Sequence, residues 1–234
     1  MKRQFDPAMP ELMDRPQPVS AELESDLHNL RQLNRYFGSY ALVLRFVRQW
    51  IKPRDVVRIL DLATGSGDIP RLIAEHARGI DATTQIDAVD QQAATVEIAR
   101  RLSADYPEIS FHEADLFRWG RAATYDIVLC ALALHHFTES DALRLLRRCR
   151  ALSRRFVLIS DLRRGLLATF GVYVLTAIFF REPMTRYDAR VSTQRAFSFR
   201  ELRSLAQQAG WGKFHHQRFR FARQAIWLDL QEIS

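Results

Sequence analysis

Two glycines, Gly65 and Gly67, follow a short apolar run that ends in Asp61, and a helical pattern begins directly after them. Glycine at a strand-to-helix turn lets a ligand come close to the backbone. A phosphate-binding loop would end in Gly-Lys-Ser or Gly-Lys-Thr, which this segment lacks. A dinucleotide site would need a small residue three positions after Gly67, where Pro70 stands. The turn therefore predicts a nucleoside ligand without a pyrophosphate, with a ligand-free glycine turn as the alternative.

Acidic side chains follow the next two predicted strands. Asp90 ends the second strand, where a carboxylate can accept hydrogen bonds from both hydroxyls of a ribose, although it also suits the start of the next helix. Asp115 follows the third strand and precedes Leu116 and Phe117. Its carboxylate can accept from an adenine amino group while the apolar pair covers the ring. Together with the glycine turn, these residues predict one nucleoside site at the carboxyl ends of the strands.

Two histidines, His135 and His136, come just after the fourth predicted strand. The pKa of imidazole lies near neutrality, so one of them can act as general base toward an acidic hydroxyl or carbon acceptor. The alternative is that the pair caps the following helix and shapes the pocket. No third ligand is near them in the sequence, so we expect no metal site.

These residues must be positioned by the elements between them. From residue 56 to residue 160, uninterrupted apolar runs alternate with helical patterns, which is typical of a parallel sheet covered on both faces. We predict strands at residues 56–60, 85–89, 109–112, 125–130 and 156–160, and helices at residues 69–78, 91–102 and 141–152.

The flanking segments follow a different pattern. Residues 1–20 are rich in proline and predict an arm, and residues 20–50 predict two helices with Ser20 as N-cap and an interruption at Gly38. Residues 165–180 carry no charge, but they are short for a membrane-spanning helix. We therefore expect a buried segment, a homodimer or membrane-surface contact, or a substrate lid there. A polar loop over 181–198, a helix to about residue 209 and two closing strands are predicted to follow.

Composition narrows the classes of function. The 234 residues suffice for one α/β domain with a short extension, and 47% hydrophobic residues describe a globular protein. The net charge of +7 comes almost entirely from arginines spread among acidic residues, so no nucleic-acid partner is expected. Cys130 and Cys149 lie in apolar or helical surroundings, which argues against a disulfide or zinc framework. The N-terminus lacks the apolar run of a signal peptide, and we expect a cytoplasmic protein.

In order along the chain, four segments resemble the successive motifs of class I S-adenosylmethionine (SAM)-dependent methyltransferases. The resemblance runs from about residue 55 to residue 161. The variant with Ala63 in the turn and Asp68 after the last glycine is most similar to the ubiquinone/menaquinone C-methyltransferase branch. The segments are Arg58–Asp68, Ala88–Asp90, Glu113–Leu116 and Tyr125–Phe137.

The resemblance implies a doubly wound α/β fold with a seven-stranded, mostly parallel sheet of order 3-2-1-4-5-7-6 and helices on both faces. Residues 1–50 would form an N-terminal arm and helical cap. Residues 51–234 would form a Rossmann-like methyltransferase domain, in which residues 162–197 are an inserted apolar lid or interface segment.

The resemblance also implies SAM as cofactor and S-adenosylhomocysteine as product. The glycine turn would face the methionine end of SAM, Asp61 would orient that loop or the amino group, and Asp90 would hold the ribose. Asp115 with Leu116 would hold adenine, and Cys130 and Ala131 would line the methionine side through backbone groups. The implied cofactor-binding residues are Asp61, Ala63, Gly65, Gly67, Asp68, Asp90, Gln91, Asp115, Leu116, Cys130 and Ala131.

The acceptor is predicted from the parts outside the core. Methyl transfer depends mostly on positioning and on the exclusion of water. Because residues 20–50 and 162–197 each present an apolar face, we expect a small lipophilic or aromatic acceptor, methylated on oxygen or carbon, with His135 and His136 as catalytic candidates. The side chains expected to meet its polar end or to close over SAM are Arg163, Arg164, Arg186, Tyr187, Arg35 and Tyr36.

Two other functions remain open at this point. One is an NAD(P)-dependent oxidoreductase, which Pro70 disfavours. The other is a protein that binds SAM without catalysis and acts through its apolar segment as an oligomer or membrane-surface module.

Overall fold

A computed structural model describes residues 2–8, 11–12, 15–165, 171 and 183–232. Seven strands of these residues form one sheet in the order β3-β2-β1-β4-β5-β7-β6, which confirms the predicted order. Strands β1 to β5 run parallel to one another, whereas β7 is antiparallel to both β5 and β6. The strands are β1 (Val56–Leu62), β2 (Thr83–Asp90), β3 (Ile109–Glu113), β4 (Tyr125–Ala131), β5 (Ser153–Leu162), β6 (His215–Phe219) and β7 (Arg223–Asp229).

Helices cover both faces of the sheet. They are α1 (Ala21–Tyr36), α2 (Ser39–Trp50), α3 (Asp68–Gly79), α4 (Ala93–Leu102), α5 (Glu139–Leu152), α6 (Pro183–Arg195) and α7 (Phe199–Gln208). Side chains alternate between the two faces of a strand, so Leu60 of β1 packs with α5 and α7, whereas Ile59 packs with α2 and α3. This two-sided burial explains why the central strands are apolar throughout.

The ends of the helices follow local sequence signals. The Ser20 side chain accepts a hydrogen bond from the backbone of Leu23 and caps α1, as predicted. Gly38 adopts a left-handed conformation (φ 75°) between α1 and α2. Ser198 and Glu201 form a reciprocal capping box at the start of α7.

The region after β5 differs from the prediction. Residues 183–195 form helix α6, where their polar composition predicted a loop. The polar side chains of α6 are its packing face: Thr185 Oγ1 donates to Asp26 Oδ1, and Asp188 Oδ1 accepts from the backbone of Leu12. A search for apolar periodicity misses a helix that packs through polar groups.

The uncharged run at residues 165–180 lies outside the described residues, apart from Gly165 and Gly171. Its predicted role as a lid or as a dimer or membrane-surface contact therefore stays a prediction. Within the described parts of the chain, no helix is long and apolar enough to cross a membrane.

Candidate functional site

One cavity of about 270 Å³ opens at the carboxyl ends of β1, β2 and β4. This is the edge of the sheet at which doubly wound folds bind their ligands. Helix α1, helix α6 and the N-terminal segment (residues 3–8, 11 and 12) close the cavity from the other side, and we call them together the cap. The residues that line it from the cap are mostly apolar, among them Leu27, Leu30, Leu33 and Phe37.

The glycine turn forms one wall of this cavity. Gly65 (φ 56°) and Gly67 (φ 74°) both adopt left-handed conformations, which glycine takes without strain. The backbone N–H of Gly65 donates to Asp90 Oδ2 at 2.9 Å, and Asp90 Oδ1 accepts from the backbone of Gln92 at 3.0 Å. Asp90 thus joins the turn after β1 to the end of β2.

Asp61 is buried beneath the turn and does not line the cavity. Its Oδ2 atom accepts a hydrogen bond of 2.7 Å from Thr64 Oγ1, so the carboxyl group orients the loop from below. Burial raises the pKa of Asp61 to about 7, and the nearby charges of Asp90 and Asp68 raise it as well.

Asp68 connects the cap to the first residues of α3. Its Oδ1 atom lies 2.8 Å from Arg31 Nε on α1 and is also paired with Arg71, while Ser66 Oγ donates to Oδ2 at 2.8 Å. Burial raises the pKa of the neighbouring Tyr40, and the Asp68 charge adds to this effect.

Arg35 and Tyr36, one of which was predicted to close over SAM, do not line the cavity. Both side chains are exposed, and Tyr36 is 73% exposed. With 3.6 residues per turn, Leu27, Arg31 and Asn34 share the face of α1 that lines the cavity, and residues 35 and 36 lie away from it. The helical spacing of the leucines identified α1, but only the packing of the helix decides which of its residues face the cavity.

The predicted cofactor-binding residues divide into two groups. Seven line the cavity: Ala63, Gly65, Asp68, Asp90, Gln91, Leu116 and Ala131. Four do not: Asp61, Gly67, Asp115 and Cys130. Asp115 is exposed and pairs with Arg118 at 3.6 Å, whereas Cys130 is fully buried and burial raises the pKa of its thiol well above the usual range. Their roles toward SAM stay predictions.

The histidine pair lies on a short 3₁₀ turn, Leu134–His136, after β4. Asp161 at the end of β5 holds His135 twice, because its Oδ2 accepts the backbone N–H at 2.9 Å and its Oδ1 lies 2.6 Å from Nδ1. The two imidazole rings are 4.3 Å apart, and both residues line the cavity. The topology brings β4 and β5 side by side, which is why Asp161 meets His135.

A third group, Glu11, lies against the histidine pair. Its Oε1 atom is 3.7 Å from His135 Nε2, and its Oε2 atom is 3.8 Å from His136 Nε2. The side chain is buried and accepts a hydrogen bond of 2.8 Å from Ser192 Oγ. The expectation that no third ligand lies near the histidines is therefore wrong. A single glutamate in a proline-rich segment has no pattern that would have revealed it.

The N-terminal segment is anchored over the same region. The guanidinium of Arg3 stacks 3.7 Å from the ring of Phe197 and donates to the carbonyl groups of Arg195, His135 and Phe137. Burial lowers the pKa of Arg3 to about 10. These contacts give residues 3–8, 11 and 12 a defined place, where the sequence predicted only an arm.

The arginines predicted to meet the acceptor lie elsewhere. Arg163, Arg164, Arg186 and Tyr187 are all absent from the described lining of the cavity. The Arg164 guanidinium donates to the carbonyl of Ala196 and to Glu201, so it is engaged in the protein interior. The described cations that line the cavity are instead Arg31 of α1 and Arg223 at the start of β7, which donates to Ser39 Oγ at 2.8 Å. Burial lowers the pKa of Arg223 to about 10. Nothing in the sequence of this closing strand indicated that Arg223 would reach the cavity.

Comparisons with known proteins agree with this arrangement. Residues 59–155, less than half of the chain, match the family model described as a methyltransferase domain. A search of curated proteins found no match.

Solved structures share the fold at low sequence identity. A candidate O-methyltransferase from Nostoc punctiforme PCC 73102 is 20% identical, with a TM-score of 0.61, and the match covers 93% of this chain. The chain spans only 64% of that protein's length. A SAM-dependent methyltransferase from Aquifex aeolicus is 14% identical, with a TM-score of 0.60, and the match covers 96% of this chain and 98% of that protein.

A third structure holds the demethylated product of the cofactor. Magnesium protoporphyrin IX methyltransferase from Synechocystis PCC 6803, with bound S-adenosylhomocysteine, is 18% identical, with a TM-score of 0.57 and coverage of 92% of this chain and 89% of that protein. Residues 59–155 are thus similar to a methyltransferase domain, and the chain shares a Rossmann-like fold with SAM-dependent methyltransferases of known structure. The quinone C-methyltransferase branch stays a hypothesis.

Proposed function

We propose that this protein transfers the methyl group of SAM to a small acceptor with a lipophilic, aromatic body. The observation that carries the proposal is the shared cavity: the strand-end residues predicted to hold SAM and the apolar cap line one continuous space. A donor and an acceptor bound there would be adjacent and shielded from water, which methyl transfer needs.

The residues at the glycine turn fit SAM better than a dinucleotide. The carboxyl groups of Asp61 and Asp90 lie at this turn, and the charge of Asp90 raises the pKa of Asp61. A pyrophosphate would be repelled by the charge of Asp90, which lines the cavity, whereas the sulfonium and ammonium groups of SAM would be attracted. Gly65 presents its backbone to the cavity without a side chain, and Leu116 supplies an apolar surface for adenine.

We assign the acceptor to the cap side of the cavity. Leucines of α1 line it there, and Leu132, Phe137 and Phe221 add further apolar surface. Magnesium protoporphyrin IX, the acceptor named for the Synechocystis neighbour, is likewise a lipophilic ring system. An apolar body with one polar, reacting end would suit this lining.

The chain's own residues would position and shield the reaction. SAM, when bound, supplies an electrophilic methyl group and leaves as S-adenosylhomocysteine. Helix α1 and the N-terminal segment exclude water, and Asp161 fixes the ring of His135. His135 and His136, together with Glu11, are the polar groups that would meet the acceptor's reacting end, and we assign the catalytic role to the two histidines.

The test has a binding arm and an activity arm. Calorimetry should detect S-adenosylhomocysteine binding to the full chain and no binding of NADH. With SAM labelled in its methyl group, label should move to lipophilic phenols in a panel that also contains tRNA and unfolded protein. Binding of NADH alone would overturn the donor assignment, and labelling of only tRNA or protein would overturn the acceptor assignment.

A further inference from the structure

Three side chains from distant parts of the chain bring metal-ligating atoms together. One carboxylate oxygen of Glu11 and one imidazole nitrogen each of His135 and His136 all lie within 4.8 Å of one another. Two imidazoles with one carboxylate form a ligand set that Zn²⁺ and other divalent first-row transition metals bind in proteins. Mg²⁺ and Ca²⁺ prefer oxygen ligands alone, so this set favours a transition metal.

The ring of His135 already has the orientation of a ligand. Asp161 Oδ1 lies 2.6 Å from Nδ1, and this contact fixes the proton on that nitrogen when the ring is neutral. The Nε2 atom then presents its lone pair toward Glu11, 3.7 Å away. A carboxylate behind a ligating histidine is the usual outer support of a metal site, because it orients the ring and raises its basicity.

A cation beside Glu11 would also stabilise its buried carboxylate. Its side chain is only 3% exposed, and among the described residues its ion-pair partners are the two imidazoles and no lysine or arginine. Burying a carboxylate is costly unless a positive charge or strong hydrogen bonds compensate it, and Ser192 supplies one hydrogen bond. A divalent ion between the three groups would supply that charge.

Side-chain movement would bring the three ligand atoms to the distances of a metal site. Metal–ligand bonds of about 2.0–2.1 Å in a tetrahedral site place neighbouring ligand atoms roughly 3.4 Å apart. The Glu11 oxygens lie 3.7 Å and 3.8 Å from the two Nε2 atoms, and one ligand atom from each of the three residues lies within 4.8 Å of the others. Side-chain movements of up to about 1.4 Å would bring these atoms to the spacing of a tetrahedral site.

We propose that Glu11, His135 and His136 bind one divalent transition-metal ion that holds the acceptor, an inference that rests on the proposed function. All three residues line the cavity, so further coordination positions would open toward the acceptor. The acceptor would then carry an ionisable hydroxyl, whose pKa the metal lowers. Its proton leaves to solvent, the oxygen bonds to the methyl carbon, and the S–CH₃ bond breaks with its electron pair left on sulfur. The product is an O-methyl ether.

Cobalt is the probe of choice, because Co²⁺ absorbs visible light with an intensity that reports its coordination. The full chain, treated with a chelator and then freed of it, is titrated with Co²⁺, and we expect one equivalent with the intense bands of a low-coordinate site. Glu11→Gln and His136→Asn should each raise the Kd for Co²⁺ at least tenfold. The matched control is His215→Asn combined with Glu232→Gln, an exposed His–Glu pair 3.5 Å apart, which should leave the Kd unchanged.

Calorimetry with S-adenosylhomocysteine on every variant separates a lost metal site from a misfolded chain. If the wild-type chain binds the product but shows no Co²⁺ bands, or if Glu11→Gln binds Co²⁺ as tightly as wild type, the metal site is overturned and the methyltransferase proposal stands. If Co²⁺ binds as expected but neither SAM nor its product binds, the methyltransferase proposal fails and the metal site stands.

Discussion

The two sides of the cavity are built in different ways. On the donor side, the contacts join neighbouring strands: Gly65 donates to Asp90, and Leu62 at the end of β1 is paired with Val89 of β2. On the cap side, Arg3 reaches the carbonyl of His135 across 132 positions of sequence, and Ser192 donates to Glu11 across 181 positions. The donor side therefore follows from sheet topology, whereas the cap side depends on long-range contacts between polar groups.

This difference predicts different responses to substitution. A change in the glycine turn should disturb the packing of α3 on the sheet and weaken SAM binding. A change in the N-terminal segment should loosen the cap and leave the donor side unchanged. The following substitutions test that separation, beginning with the largest expected effect.

Gly67→Ala should destabilise the whole fold. An added Cβ would lie 2.6 Å from Phe111 Cζ, and the φ of 74° is unfavourable for alanine. The left-handed conformation costs about 1–2 kcal/mol, and overpacking typically adds about 1–3 kcal/mol. We therefore expect the free energy of unfolding in urea to fall by roughly 2–5 kcal/mol.

Gly79→Ala is the matched control for that substitution. Gly79 ends α3, its added Cβ meets no atom within 4 Å, and its φ is not left-handed. The alanine should be neutral or stabilise the helix by up to about 1 kcal/mol. Equal stabilities of the two variants would contradict the view that the turn is held tightly against β3.

Asp90→Ala should weaken SAM binding without unfolding the protein. The substitution removes the acceptor of the Gly65 and Gln92 backbone hydrogen bonds and the predicted partner of the ribose. Hydrogen bonds to charged groups contribute about 1.5–3 kcal/mol each, so the Kd for S-adenosylhomocysteine should rise about 100-fold in calorimetry. Glu113→Gln is the control, because Glu113 pairs with Asp90 in the sheet but does not line the cavity. A Kd unchanged in Asp90→Ala would remove Asp90 from the site.

The raised pKa of Asp61 predicts that the stability of the protein depends on pH. Its pKa is raised to about 7 in the folded chain, so between about pH 4 and pH 7 the native state holds a proton that the unfolded state has lost. The contribution of the protonated Asp61 to the free energy of unfolding is therefore present at low pH and is lost as the pH rises toward 7. Between pH 5.5 and pH 8, this group should lower the unfolding free energy of the wild-type chain by about 2 kcal/mol. Asp61→Asn should lack this decrease.

The control for that experiment is Asp105→Asn, an exposed aspartate that should leave the pH profile as in wild type. Parallel profiles of wild type and Asp61→Asn would mean that the Asp61 carboxyl is ionised throughout, and the proposed effect of burial would be wrong.

Arg3→Met should have the smallest effect, confined to the cap. The variant loses the hydrogen bonds to three carbonyl groups and the stacking on Phe197 but keeps an apolar stem. We expect faster amide hydrogen exchange in residues 134–137 and 188–195, a loss of about 1 kcal/mol in stability, and a Kd for S-adenosylhomocysteine within twofold of wild type. Lys2→Met, at an exposed position, is the control. A large loss of product binding would show that the two sides are not separate.

Much of the fold was predictable because its signals are local. The N-cap at Ser20, the break at Gly38 and the apolar runs of β1, β4 and β5 each depend on a few neighbouring residues. Helix α6 was missed because its buried face is polar, so hydrophobic periodicity had nothing to detect. Strand boundaries also shifted: β5 begins at Ser153 rather than at residue 156, because pairing with β4 extends the strand past its apolar centre.

The sequence by itself determined the donor side. A turn after β1 and an acidic residue after β2 must meet once parallel strands align, since the strands' carboxyl ends share one edge. Only the tertiary structure decided the acceptor side. Glu11, Arg31 and Arg223 reach the cavity through packing between distant segments, and single polar residues without periodic spacing give no signal of the partner they will meet. That is why the sequence predicted one nucleoside site from the glycine turn and Asp90, whereas Glu11 beside His135 and His136 became visible only in the folded chain.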